Sequence, residues 1–220
     1  LWDDMFLPMK LRDHIRSVTV TGADGRPAPL VKAEWTLFEA DRAAELSAPP
    51  ENTPAYLAVG LALAALLLGL GARARHSRTA AVAFAVLGVA WALLSGLGGL
   101  VLAGLWAFTD HAITYRNENL LQTSPLDLAL LVLIPALVMR RAWAARPAVR
   151  VAAASAALSG IGLLAKALPA FDQVNGMIIA LALPVHLGVA LAVSLVAREI
   201  GANRPTRSSR ASSSALAKAT

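Results

Sequence analysis

Apolar positions fall into five long blocks separated by polar connections: Ala55–Ala72, Ala80–Phe108, Pro125–Met139, Val151–Leu168 and Val174–Val196. Each is nearly free of charge and long enough, or nearly so, to cross a hydrocarbon core of about 30 Å as a helix. The pattern predicts an all-α polytopic membrane protein with five transmembrane helices. The second block, helical throughout, would run about 43 Å at roughly 1.5 Å per residue. It is therefore expected to tilt, kink or protrude, with Ser95-Gly96-Leu97-Gly98-Gly99 as the weak point. Ala92, Ser95, Gly96, Gly99 and Ala103 share one face and predict a close helix–helix contact.

The periodicity changes before the first block. Residues 1–48 read as the end of an exported soluble domain: a short external helix after Pro8, with Leu11 and Ile15 on one face, then a β-hairpin. Ser17–Thr21 alternates as a strand, Gly22-Ala23-Asp24-Gly25-Arg26-Pro27 supplies turn residues, and Leu30–Phe38 resumes with β-branched and aromatic residues. One helix and one hairpin bury too little to be stable alone, so they are expected to dock on the membrane domain or on upstream sequence. Residues 49–54 form a Pro-rich linker, 55–198 the transmembrane domain, and 199–220 a basic tail without a periodic apolar face, read as disordered and cytoplasmic.

Charge orients the chain. Arg73, Arg75 and Arg78 follow the first block; Arg140, Arg141, Arg146 and Arg150 follow the third; Arg198, Arg204, Arg207, Arg210 and Lys218 follow the fifth. The other connections hold only Arg116, with Lys166 near the edge of the fourth block, free to snorkel outward without a special role. The positive-inside rule then predicts an external, periplasmic N-terminus and a cytoplasmic C-terminus in a bacterial inner (plasma) membrane. An exported N-terminus needs an export signal, and Leu1-Trp2-Asp3-Asp4 provides neither an initiator Met nor a signal-peptide pattern; either the first span serves as a reverse anchor or, the favoured expectation, the true start lies upstream.

The basic pI of about 10.5 points to membrane lipids rather than to nucleic acid. The basic residues flank spans on one side, whereas residues 1–54 hold six basic and nine acidic side chains, and no basic groove with interleaved aromatics occurs. The absence of cysteine removes disulfides, thiolate nucleophiles and Cys-based metal sites from these residues. No cofactor motif is present, since the Gly-rich run lies inside a span.

Polar residues concentrate in two connections predicted to meet at one membrane face. The first, Thr109–Ser124, carries Asp110, His111, Arg116, Asn117, Glu118 and Asn119; the second carries Asp172, Gln173 and Asn175. Asp110 or Glu118 is positioned in sequence to orient the His111 imidazole, while Asn117 and Asn119 suit local backbone hydrogen bonds or a polar head group. The opposing reading is an ordinary solvated connection with Asn residues forming turns and caps. Only His111 and scattered carboxylates are available, without paired-His spacing, so no metal site is assigned. His186 lies about 18 Å from the outer end of the fifth block, near mid-membrane. It reads either as a donor to a carbonyl freed by Pro184 or as a proton-relay or substrate contact. Ser95, Ser155, Ser159 and Ser194 read as small packing residues, so no catalytic residue is assigned.

Phe108-Thr109-Asp110-His111, then Asn117-Glu118-Asn119-Leu120-Leu121 and Ser124-Pro125-Leu126, resembles the signature of Lnb-type bacterial membrane proteins. Phe6–His14, Pro29-Leu30-Val31, Phe171–Asn175 and Leu183–Leu187 extend the similarity. The resemblance implies an exported papain-like cysteine-hydrolase domain followed by a small helical membrane region, and acyl transfer in lipoprotein N-acylation through a Cys nucleophile. With no Cys here, it implies a membrane portion that anchors an upstream exported domain and positions a lipoprotein or phospholipid acyl substrate. Two other functions are weighed: a non-catalytic anchor or scaffold that docks a partner through the polar loop, and a small transporter using His186.

Overall fold

Short-range signals shape the first of two units. The computed structural model describes residues 8–38, 51–110 and 114–202, and divides into Leu1–Pro49 and Pro50–Thr220. In the first unit, helix α1 covers Pro8–Ser17 and is followed by an antiparallel pair, β1 (Thr19–Thr21) and β2 (Pro27–Pro29), in the register Thr19↔Pro29 and Thr21↔Pro27. The hairpin is therefore shorter than expected: Leu30–Phe38 contains no strand. The turn explains the difference. Gly22 N–H donates to Arg26 O at 2.8 Å, the Asp24 carboxylate accepts from Arg26 N–H, and Gly25 takes φ +75°, so pairing begins at Pro27.

Arg16 forks onto Glu34 at 2.5 and 2.6 Å, and this hydrogen bonding holds the Glu34 carboxyl below the usual range. The pair is exposed and adds little stability. None of the described residues of this unit is buried, and Trp35, Leu37 and Phe38 are largely exposed. Of the predicted linker, residues 49–50 lie outside the described residues, Glu51 and Asn52 precede the first span, and Thr53 and Pro54 open its helix; of the predicted tail, residues 199–202 continue the last helix and 203–220 lie outside the described residues.

The second unit carries five segments long and apolar enough to cross a membrane. They are α2 (Thr53–Arg73), α3 (Arg78–Phe108), a composite third span (Glu118–Val138), α5 (Ala142–Ala165) and α6 (Gly176–Ala202). The third span differs from its prediction. Only α4 (Leu130–Val138) is α-helical; two 3₁₀ turns, Glu118–Leu121 and Pro125–Ala129, precede it. Asn117 and Ser124 each accept a backbone N–H at the start of these turns, and Pro125 follows Ser124. The span thus begins seven residues earlier than the apolar block and draws Gln122 and Asp127 into the bundle. Arg146 and Arg150, expected in a connection, lie on the first turns of α5.

Small residues set the packing. Gly60, Gly71 and Gly188 bring α2 and α6 together in parallel, facing Ala180–Leu181, Ala192 and Ala64. The Gly60 contact reaches Ala180 O, the carbonyl that Pro184 leaves without its helical donor. α3 is one continuous helix through its glycine cluster. Ala92, Ser95, Gly96 and Gly99 are buried, with Gly96 against Leu128 and Gly99 against the Thr123–Ser124 backbone. The predicted close contact therefore forms, with an irregular turn as its partner. Phe84, Ile134, Leu137, Val185, Val189 and Val193 fill the centre.

Candidate functional site

Two polar clusters are built around the third span, one at the Arg-poor end of the bundle and one deep inside. At the end, Glu118 is the hub. Its side chain is 7% exposed and takes the Lys166 ammonium at 2.6 Å on Oε2 and the Gln173 N–H at 3.0 Å on Oε1. The Glu118 N–H returns a bond to Gln173 Oε1 at 3.0 Å, and Lys166 also donates to Gln173 O at 2.7 Å. Asn175 Nδ2 donates to Asn119 Oδ1 at 3.2 Å, and Asn117 Oδ1 accepts the Asn119 N–H at 3.0 Å. These bonds clip the α3–third-span connection to the α5–α6 connection. Lys166, left without a role by the sequence, is a structural centre of the rim because it neutralises a buried carboxylate.

The remaining candidates divide. Arg116 is exposed with φ +53°, and its carbonyl receives Gln173 Nε2 at 3.5 Å. Asp110 and Asp172 are exposed and stand outside the clip. His111 lies outside the described residues. Among those described, no three of His, Asp and Glu come together as a metal site.

The clip yields a prediction. Lys166→Met strands the Glu118 carboxylate and is expected to cost about 3 kcal/mol, whereas Glu118→Met/Lys166→Met removes both charges and is expected to cost much less. Thermal unfolding of the purified protein in micelles checks the order; a double variant less stable than Lys166→Met contradicts it.

The second cluster lies deeper. Ser95 Oγ donates to Asp127 Oδ2 at 2.5 Å, Ser155 Oγ donates to Asp127 Oδ1, and His186 Nε2 stands 3.4 Å from Asp127 Oδ2 and 3.5 Å from Ser95 Oγ. All four residues are at most 3% exposed. The Trp91 ring meets the His186 ring edge-on, with centroids 5.5 Å apart. His186 Nδ1 and Trp91 Nε1 are buried without a hydrogen-bond partner, as is Asn175 Oδ1 in the outer cluster. His186 thus makes no bond through Nδ1 to a Pro184-freed carbonyl; the acidic partner on the third span holds its other nitrogen.

The group is not a nucleophilic triad. A triad His bridges Ser and Asp through its two different ring nitrogens, whereas here Nε2 faces both and the Ser95 proton is directed at the carboxylate. Its chemistry is that of an intramembrane carboxylate satisfied by hydroxyls and an imidazole.

A seam connects the clusters. Ser155, Ser159, Gly162 and Lys166 lie on one face of α5 at spacings of three and four residues, covering about 16 Å of helix. Opposite them stand Asp127, Gln122, Leu121 and Glu118. Gln122 and Ser159 are fully buried: Ser159 Oγ donates to Gln122 Oε1, and Gln122 Nε2 donates to Ser159 O at 3.2 Å. Gly162 leaves room for the Gln122 amide. Irregular backbone at membrane depth persists only where it is buried in protein or lines a water-filled cavity, and this face of α5 buries it. From the sequence, Ser95, Ser155 and Ser159 read as packing residues and Asp127 carries no assignment. The available signal was a carboxylate inside an apolar run together with the repeat Ser155, Ser159, Lys166.

A family model described as the Lnb transmembrane domain matches residues 51–195. No curated protein and no solved structure matches the chain.

Proposed function

The chain belongs to the Lnb transmembrane-domain family, and from that premise we propose that its membrane domain positions an acyl-bearing lipid or lipoprotein for a cysteine acyltransferase or hydrolase. The bond-making thiol belongs to an exported domain outside these 220 residues, which contain no cysteine. On this reading the Arg-poor end faces the outside of the bacterial inner membrane and the Arg-rich end faces the cytoplasm.

The observation that carries the proposal is the rim: Glu118, Lys166 and Gln173 lock two connections together, with Asn119 and Asn175 beside them. A locked rim holds a substrate at a fixed height relative to a soluble catalytic domain, and such positioning accelerates a reaction without sharing its bonds. The rim carboxylate is already neutralised by Lys166, so its role is to support. Asn175 Oδ1 is buried beside the clip without a hydrogen-bond partner. The exposed Trp35, Leu37 and Phe38, which follow the hairpin, fit a segment that completes a larger exported domain.

Asn119→Ala in the full-length protein is expected to lower lipoprotein N-acylation about tenfold through misplacement of the substrate, with unchanged membrane insertion. Mass spectrometry of lipoprotein N-termini reads the first quantity, and protease accessibility of the termini the second. Wild-type acylation in Asn119→Ala and Asn175→Ala removes this site assignment and leaves the anchor role.

A further inference from the structure

At the opposite end of the bundle, the N-terminal turns of α5 and the last turns of α6 enclose an open groove of about 1010 Å³. Its lining includes three arginines, Arg146, Arg150 and Arg198, together with Trp143, Val149 and Ile200. Arg146 and Arg150 stand four residues apart on α5 and so lie on the same face, where like charges repel. Arg198 comes from the antiparallel neighbour.

All three arginines are exposed, and none makes an ion pair among the described residues. α5 carries no acidic residue. The single carboxylate of α6, Glu199, lines a different concavity and stands 3.7 Å from Arg75. Three arginines therefore line one concavity whose lining offers no negative charge. The residues that follow Arg141 open helix α5 without a side-chain cap, which adds the positive end of the helix dipole to the same region.

We propose that this groove binds the phosphate of an anionic phospholipid head group, with the acyl chains lying along the apolar wall. Charge selects the phosphate. Guanidiniums supply planar forks that engage two phosphate oxygens at once. Trp143 is 59% exposed and suits the head-group level, where an indole keeps one edge polar and one face in hydrocarbon. Orientation by positive charge alone needs arginines on this side of the membrane; it does not need three of them around one cavity. A volume of this size is ample for a head group, since ordinary ligand sites occupy about 300–1,000 Å³. The site is independent of the reaction proposed for the opposite end.

Native mass spectrometry of the purified chain in micelles tests it, with phosphatidylglycerol and phosphatidylcholine of matched acyl chains as probes. The wild type is expected to retain phosphatidylglycerol about tenfold over phosphatidylcholine. Arg146→Gln/Arg150→Gln/Arg198→Gln is expected to lose that preference. Arg73→Gln/Arg78→Gln/Arg140→Gln, which removes as many charges at the same end but outside the groove, is expected to keep it.

The triple Arg→Lys variant at 146, 150 and 198 preserves charge and topology. It is expected to weaken the preference several-fold by losing the forks, so it decides the matter should the Gln variant fail to fold. Equal loss in both Gln triples overturns the proposal in favour of diffuse surface charge. Undiminished preference in the Lys triple overturns it too. Displacement of the lipid by millimolar inorganic phosphate overturns the lipid as occupant and makes the site one for a free anion.

Discussion

Asp127→Ala destabilises the membrane domain by about 3 kcal/mol, a larger loss than a single hydrogen bond between membrane helices brings, typically about 0.6 kcal/mol. The reason is the number of groups that share one carboxylate. Ser95, Ser155 and His186 approach it from three different helices, α3, α5 and α6, and all are buried. Removing the acceptor takes the partner from the Ser95 hydroxyl and the His186 imidazole in a region with no water to receive them, while Ser155 keeps the Val151 carbonyl at 3.1 Å. Asp127→Asn keeps an acceptor oxygen for one hydroxyl and is expected to recover roughly half of the loss. Denaturant unfolding of the purified chain in micelles, followed by circular dichroism, measures both. Wild-type stability in Asp127→Ala contradicts the cluster as a tie between helices.

Gly99→Val is the second large effect, about 2–3 kcal/mol through overpacking. A β-carbon at Gly99 would stand 2.5 Å from Thr123 O and 2.7 Å from Ser124 C, and those atoms are backbone that no rotamer change moves aside. α3 must therefore separate from the turn that leads into Pro125, which also draws Ser95 away from Asp127. Gly104, on the same helix, has nothing within 4 Å of the corresponding position. Gly104→Val is expected to leave stability within about 0.5 kcal/mol of the wild type. Equal unfolding midpoints for the two variants contradict the close approach.

The apolar blocks were legible because the bilayer imposes length and the absence of charge on every span, and both are visible without tertiary knowledge. The close-packing face of α3 was legible for a related reason: Ala92, Ser95, Gly96 and Gly99 recur at helical spacing. The third span shows where that reasoning ends. Its first half follows 3₁₀ turns set by Asn117, Ser124 and Pro125, and hydropathy averages over such local chemistry. Once Glu118–Ala129 is seen as part of the bundle, Asp127 and Gln122 become buried groups that need partners.

Those partners lie 28 to 59 residues away for Asp127, at Ser95, Ser155 and His186, and no local pattern joins them. Lys166 was misread for the same reason: its carboxylate lies 48 residues earlier, beyond an intervening helix pair. In contrast, Asn117, Glu118, Asn119, Gln173 and Asn175 were found together because they occupy two connections that topology places at one face. Topology did not distinguish them from Asp110 and Asp172, which stay exposed.

The most direct test of a positioning role replaces residues 51–202 in the full-length protein with an unrelated helical anchor of the same orientation and measures lipoprotein N-acylation at equal export. If the rim sets the height and geometry of the substrate, acylation falls by about a hundredfold, the scale of an ångström-sized misplacement. Acylation at the wild-type rate on the foreign anchor contradicts the account and reduces this domain to a tether.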